Sequence, residues 1–82
     1  MTSGRVPLLS SNEVIKALKK NGFTYAPKRG KGSHIALIKK ETEQILLVII
    51  PRKKVIPKGT LNAILQQAAL TREEFLSLLK AK

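Results

Sequence analysis

The sequence predicts an α+β fold in which a three-stranded antiparallel sheet carries its helices on one face. Three observations predict this class. Apolar residues recur at helical spacing near both ends of the chain, short strand-forming runs lie between them, and capping sequences mark where helices begin. The 82 residues leave room for one domain. We expect residues 1–9 to be a flexible lead-in and residues 10–82 to form that domain.

The first helix is predicted over residues 11–20. Ser10 and Glu13 have the spacing of a capping box, in which the serine hydroxyl accepts a backbone N–H and the glutamate reaches back to the N-cap. Asn21 and Gly22 end the helix, because glycine readily adopts the left-handed conformation that follows a last helical turn.

Three strands are predicted next. Residues 23–26 are rich in strand formers and are followed by Pro27, which ends the strand. Residues 34–39 form the second strand and residues 44–50 the third, with a short polar connection between them. Strands joined by short turns pair as an antiparallel meander.

The third predicted strand is apolar on both faces, with Ile45, Leu47 and Ile49 on one of them. One face of an antiparallel sheet usually meets water and carries polar residues. Because the helices of so small a domain cannot cover both faces, we expect the second face to contact another chain, either a second copy or a different partner. The alternative is cover by the N-terminal tail, including Leu8 and Leu9.

Two helical segments close the chain. Thr60 lies near the start of the first of them, and Thr71 and Glu74 form a second capping box before a last helix over residues 72–80. The apolar positions that mark the first segment are Leu61, Ile64, Leu65 and Ala68.

The charge of the chain is strongly positive. Sixteen Lys and Arg residues against five Asp and Glu residues give a formal net charge of +11. This excess favours an anionic partner, with nucleic acid the first candidate, an acidic protein the second and a membrane surface a weak third. The chain has no cysteine, no apolar run of membrane-spanning length and no signal-peptide core at its N-terminus, so we expect a cytoplasmic protein.

One basic turn combines binding chemistry with proton-transfer chemistry. Glycine lets backbone N–H groups approach an anion, and lysine and arginine attract phosphate. The only histidine of the chain follows directly, and an imidazole can both take and give a proton near neutrality. The alternative is a solvated hairpin loop with a structural histidine. The residues concerned are Lys28, Arg29, Lys31, Gly32, Ser33 and His34.

A second basic segment, Arg52, Lys53 and Lys54, follows the third strand. Because it and the basic turn both lie at strand ends, we expect them to form one patch that binds nucleic-acid phosphates. One histidine and five scattered carboxylates do not make a metal-ligand set, so neither a metal nor another cofactor is expected.

Several short pieces of this chain, taken in order, resemble the HicA family of toxin–antitoxin ribonucleases. They are residues 13–18 leading to Asn21-Gly22-Phe23, Gly32-Ser33-His34 opening a strand, Gly59-Thr60-Leu61 with Ile64-Leu65, Gln67-Ala68, and Thr71-Arg72-Glu73-Glu74-Phe75. The resemblance implies a fold similar to double-stranded-RNA-binding domains and metal-independent cleavage of mRNA. It also implies His34 as the catalytic histidine and neutralisation by a HicB-like antitoxin that covers the active site. A homodimer through the sheet is the other candidate assembly.

The chain departs from the family at two positions. Many members carry a second histidine shortly after the proline that closes the third strand, where this chain has Arg52 and Lys53. The second proton-transfer group is therefore left open, with a lysine or water as candidates. A non-catalytic RNA-binding or protein-interaction module of the same fold is the alternative function. The family also commonly has glycine near Ala69, which affects only a helix end.

Overall fold

The computed structural model describes residues 8–26 and 32–81, and it confirms the α+β class. The three strands form one antiparallel sheet in the order β1-β2-β3. The elements are α1 (Ser11–Lys20), β1 (Thr24–Tyr25), β2 (His34–Lys40), β3 (Ile45–Pro51), α2 (Lys58–Gln67) and α3 (Arg72–Lys80). None of the helices in the described ranges is long and apolar enough to cross a membrane.

Capping boxes fix the starts of α1 and α3, as predicted. The Ser10 hydroxyl accepts the Glu13 N–H at 3.2 Å, and the Glu13 carboxylate accepts the Ser10 N–H at 2.9 Å. Thr71 and Glu74 repeat both bonds at 3.1 and 2.8 Å. These bonds pair N–H groups that a helix start would otherwise leave free.

The ends of α1 and α2 share one backbone motif but differ in the residue that carries it. After α1, Gly22 has a φ of +98° and the Phe23 N–H bonds the Leu18 carbonyl at 3.1 Å. After α2, Ala69 has a φ of +58° and the Leu70 N–H bonds the Leu65 carbonyl at 3.0 Å. Both are Schellman motifs, and only the first has the glycine that suits a positive φ.

The first strand is shorter than residues 23–26, the predicted range. The Phe23 N–H bonds the Leu18 carbonyl at the end of α1, and the Phe23 side chain is buried in the core. Ala26 lies beyond β1, although its N–H bonds the Ala36 carbonyl of β2 at 3.0 Å. Only Thr24 and Tyr25 remain as strand residues.

One hydrophobic core lies between the sheet and the helices. The register pairs Ile35 with Ile50 and Leu37 with Val48, and all four side chains are buried. Residues directly opposite each other in a sheet point to the same face, so these pairs define the helix side. The helices contribute Val14, Ile15, Leu18, Leu61, Ile64, Leu65 and Phe75 to the same core.

The opposite side of the sheet, here called the outer face, keeps exposed apolar side chains. Ile45 is 62% exposed, and Leu47 and Ile49 are each 37% exposed. Leu9 is buried in the core with the helices, and Leu8 is exposed. Neither of these tail residues therefore covers the outer face, and residues 1–7 lie outside the described ranges.

The free edge of β3 is protected at its C-terminal half. The backbone N–H groups of the even-numbered residues of β3 point toward β2. Those of the odd-numbered residues therefore point away from the sheet. The Ile49 N–H donates to the side-chain oxygen of Gln67 at 3.0 Å. Pro51 has no N–H to leave unpaired.

Candidate functional site

His34 is the first residue of β2 and lies on the outer face of the sheet. Its neighbour Ile35 points into the core, and alternation along the strand turns the imidazole to the other side. The ring is exposed and pairs in register with Pro51 of β3. The sequence thus places its one histidine at the solvent margin of the sheet rather than inside it.

Ser33 contacts the imidazole directly. Its Oγ lies 3.1 Å from His34 Nδ1, and both residues are exposed. If Nδ1 carries the proton and donates to Ser33, the Nε2 lone pair is free to accept a proton. If the serine hydroxyl donates instead, Nε2 carries the proton and can give it away. A hydroxyl supports either tautomer, so it suits a ring that changes its protonation state.

Arg52 joins the turn before β2 to the loop after β3. Its backbone N–H donates to the Ser33 carbonyl at 2.7 Å, and its Nε donates to the Gly32 carbonyl at 3.0 Å. Gly32 has a φ of +50°, which a side chain would disfavour. The turn that leads into His34 is therefore held at two consecutive residues by a single arginine.

A shallow hollow of about 210 Å³ contains both His34 and Arg52 in its wall. Ala26, which follows β1, is bonded to Ala36 of β2, and both residues also line the hollow. The remaining lining residues are Tyr25, Gly32 and Ile35. The hollow brings an imidazole and a guanidinium to one solvent-accessible place.

Ser11 fixes the second basic segment against the start of α1. Its N–H donates to the Lys53 carbonyl at 3.0 Å, and its hydroxyl lies 3.3 Å from both the Lys53 N–H and the Lys53 carbonyl oxygen. Among the described residues, Ser11 is the one polar residue that is buried. The backbone at Lys53 is therefore fixed, whereas the side chains of Lys53 and Lys54 are exposed.

The structure brings four of the predicted site residues together: Gly32, Ser33, His34 and Arg52. Lys53 and Lys54 continue the same loop but do not line the hollow. Three further predicted RNA-binding residues, Lys28, Arg29 and Lys31, lie outside the described residues, so the single basic patch stays a prediction.

Sequence reasoning missed two contributors. Ser11 was overlooked beside the capping serine that precedes it, and its long-range bond to Lys53 has no local sequence signal. Tyr25 enters the hollow through the register of β1 on β2, and its ring lies 4.2 Å from the Lys19 ammonium. Register is set by pairing across strands, which one sequence does not specify on its own.

The electrostatics of the site are one-sided. In residues 8–26 and 32–81 the ion pair is Lys39 with Glu41 at 3.8 Å, at the other end of β2. The three cations after β3 thus have no carboxylate partner within that part of the chain. The same ranges contain no group of three His, Cys, Asp or Glu side chains that could hold a metal ion. The site offers cations and one imidazole.

A sequence model described as "HicA toxin of bacterial toxin-antitoxin" matches residues 11–70, well over half of the 82 residues. The chain belongs to the HicA toxin family. The HicA match runs from the start of α1 to the residue before the α3 cap, so it contains His34, Arg52 and the whole sheet. No curated protein sequence matches the chain. As a HicA protein the chain is a toxin of a toxin–antitoxin system, and the family implies an antitoxin partner.

Proposed function

We propose that this HicA protein is a metal-independent endoribonuclease, an mRNA interferase of the cytoplasm, in which His34 transfers one of the two protons that the reaction moves. The observation that carries the proposal is the exposed imidazole of His34, bonded to Ser33 and set beside Arg52 in one hollow. Membership of a toxin family adds a reason for a damaging activity.

The reaction requires a 2′-hydroxyl, so RNA is cut and DNA is spared. The 2′-oxygen attacks the adjacent phosphorus, a new P–O2′ bond forms and the P–O5′ bond breaks. The 2′-hydroxyl loses its proton and the departing 5′-oxygen gains one. His34 is positioned to act in one of these transfers, and a general acid or base of this kind contributes about 10²–10⁴-fold. A lysine or water supplies or removes the other proton.

Substrate binding rests on phosphate contacts. Lys53 and Lys54 are exposed on a loop whose backbone is fixed by Ser11. Lys28, Arg29 and Lys31 would extend the positive surface from the turn before β2. Gly32 and Ser33 add backbone N–H groups and a hydroxyl close to His34. Lysine and arginine contacts of this type hold RNA without reading its sequence.

Replacing His34 tests the proposal. The variant His34→Ala is expected to lose RNA cleavage in vitro and growth arrest in vivo while keeping its affinity for RNA. Thr24→Ala is the matched control, because Thr24 is exposed on the same sheet and lies outside the hollow. Equal cleavage by wild type and His34→Ala would overturn the proposal.

One observation favours the alternative, a non-catalytic RNA-binding or protein-interaction module. His34 is the only histidine in the chain, so no second imidazole can complete the proton transfers. A wild-type protein that binds RNA at low salt and leaves it intact would indicate the binding module. Negligible RNA affinity at low salt would indicate the interaction module.

The outer face supports a place for the antitoxin. Ile45, Leu47 and Ile49 expose apolar surface there, and the β2–β3 register puts His34 at the far end of the same face. A HicB-like partner that docks on this surface would reach the imidazole and exclude RNA. The net charge of +11 favours an acidic partner over a second copy. A homodimer through the sheet is the competing assembly, and sedimentation of the isolated toxin distinguishes it.

A further inference from the structure

Arg52 differs from its basic neighbours in how its side chain is held. The Nε donates to the Gly32 carbonyl at 3.0 Å, and the terminal nitrogens make no hydrogen bond with the described residues. A guanidinium is planar and rigid, so a bond at Nε fixes the direction of the remaining N–H donors. Those donors form the fork that matches two oxygens of a phosphate.

Position adds a second argument. Arg52 and His34 line the same hollow, and the Ser33 carbonyl between them accepts the Arg52 N–H at 2.7 Å. A phosphodiester held in this hollow would lie against both Arg52 and His34. Lys53 and Lys54 do not line the hollow, so they are not placed to contact a phosphate held there.

We propose that Arg52 is a catalytic residue that binds the scissile phosphate, held for this task by the Gly32 carbonyl. This inference rests on the proposed ribonuclease function. The negative charge on the non-bridging phosphate oxygens grows as the 2′-oxygen attacks, and a fixed cation binds that state more tightly than the ground state. Arg52 moves no proton. It lowers the barrier while His34 and a second group, a lysine or water, transfer the protons.

The inference explains how this site works with one histidine. The chain has one histidine, and the structure ties Arg52 to the turn that presents it. Electrostatic stabilisation of the transition state then does part of the work that a second acid–base group would do.

The test compares variants that lose the same charge at different places. Arg52→Gln removes the guanidinium in the hollow, and Lys54→Gln removes an exposed cation outside it. Cleavage of a pool of random-sequence oligoribonucleotides is measured at several RNA concentrations, with folding checked by thermal unfolding. We expect Arg52→Gln to lower kcat on the order of 10²-fold with little change in KM. Lys54→Gln should raise KM and keep the wild-type kcat.

Two further measurements separate a catalytic role from a structural one. Arg52→Lys keeps the charge but loses both the Nε bond and the fork, so it should stay close to Arg52→Gln in kcat. Guanidinium ions added to Arg52→Ala should restore part of the rate, which they would not do for a misfolded turn. The inference is overturned if Arg52→Gln behaves like Lys54→Gln, or if Arg52→Lys matches wild type. Cleavage that persists in His34→Ala would instead count against the ribonuclease proposal itself.

Discussion

Ser33 shows how a single side chain can decide the behaviour of its neighbour. Its Oγ, 3.1 Å from His34 Nδ1, is the hydrogen-bond partner of an otherwise exposed ring. In the proposed ribonuclease, loss of this bond would let the imidazole rotate about its side-chain torsions, so it would face the RNA less of the time. Orientation of this kind is a large part of catalysis, because small misplacements of reacting groups are costly.

Ser33→Ala is therefore expected to lower the RNA cleavage rate roughly 10-fold, since a freely rotating ring is oriented correctly less often. RNA affinity, measured by filter binding, should stay at the wild-type value. Ser77→Ala, at an exposed serine of α3, is the matched control. A Ser33→Ala protein that cleaves at the wild-type rate would show that the bond does not orient the ring for catalysis.

Among residues 8–26 and 32–81, Ala69 is the non-glycine residue that has a positive φ. It has a φ of +58° at the end of α2, where the equivalent position after α1 is Gly22. Ala69→Gly should raise the free energy of unfolding by about 0.5–1 kcal/mol, because relief of left-handed strain outweighs the greater freedom of glycine in the unfolded chain.

Ala63→Gly is the control for Ala69→Gly, because Ala63 is exposed inside α2. There the same substitution should lower the free energy of unfolding by about 0.5–1 kcal/mol. Urea titration measures both. Destabilisation by Ala69→Gly would contradict the assigned role of the positive φ.

At the scale of elements, local chemistry determined what the sequence could predict. The starts of α1 and α3 follow from capping boxes, which are bonds among residues three apart. The start of α2 was less well defined, because Pro57 occupies the N-cap without a side-chain bond and the helix begins at Lys58. β1 is short because Phe23 bonds the end of α1 through its N–H and buries its side chain in the core.

The outer face of β3 gives a prediction about the antitoxin. Leu47→Lys should abolish or strongly weaken binding of the cognate antitoxin, because a charge cannot be buried without a partner at an apolar interface. RNA cleavage by the free toxin should persist, since Leu47 does not line the hollow. Co-purification and calorimetry measure the binding.

Val55→Lys provides the comparison for Leu47→Lys. Val55 is an exposed apolar residue, 51% accessible, on the loop before α2. The Val55→Lys variant should keep the wild-type affinity for the antitoxin. Equal affinity of both variants and wild type would place the antitoxin on another surface.

At the scale of the whole molecule, the net charge gives a prediction about how the proposed RNA substrate is held. The net charge of +11 predicts RNA binding that weakens steeply with salt. Changing Lys53 and Lys54 together to Gln should reduce the slope of log affinity against log salt by about 1.4, or about 0.7 for each lost contact with a single strand. Changing Arg72 and Lys80 of α3 together to Gln lowers the net charge by the same amount as the loop double variant and should leave the slope unchanged. Equal slopes for both double variants would mean that the loop does not contact phosphates.

The candidate site was predictable only in part. Residue types and their order predicted His34 as the proton-transfer group and predicted basic residues around it. The bond from Arg52 to Gly32 joins the loop after β3 to the turn before β2, and it depends on the β2–β3 register. Ser11 reaches Lys53 across an even longer stretch of sequence. Such contacts arise from the completed fold, so no local pattern announces them.

Gln67 carries a consequence for how the protein behaves when it is abundant. A bare strand margin invites identical molecules to add to it one after another, which is how fibrils grow. Here the Ile49 N–H already donates to the side chain of Gln67, and Pro51, two residues later, has no N–H. A second copy that added a strand to this edge would therefore meet an interrupted row of backbone donors. The β3 edge therefore disfavours the stacking of identical copies, and the free toxin should stay dispersed at concentrations at which a fully exposed strand edge would associate.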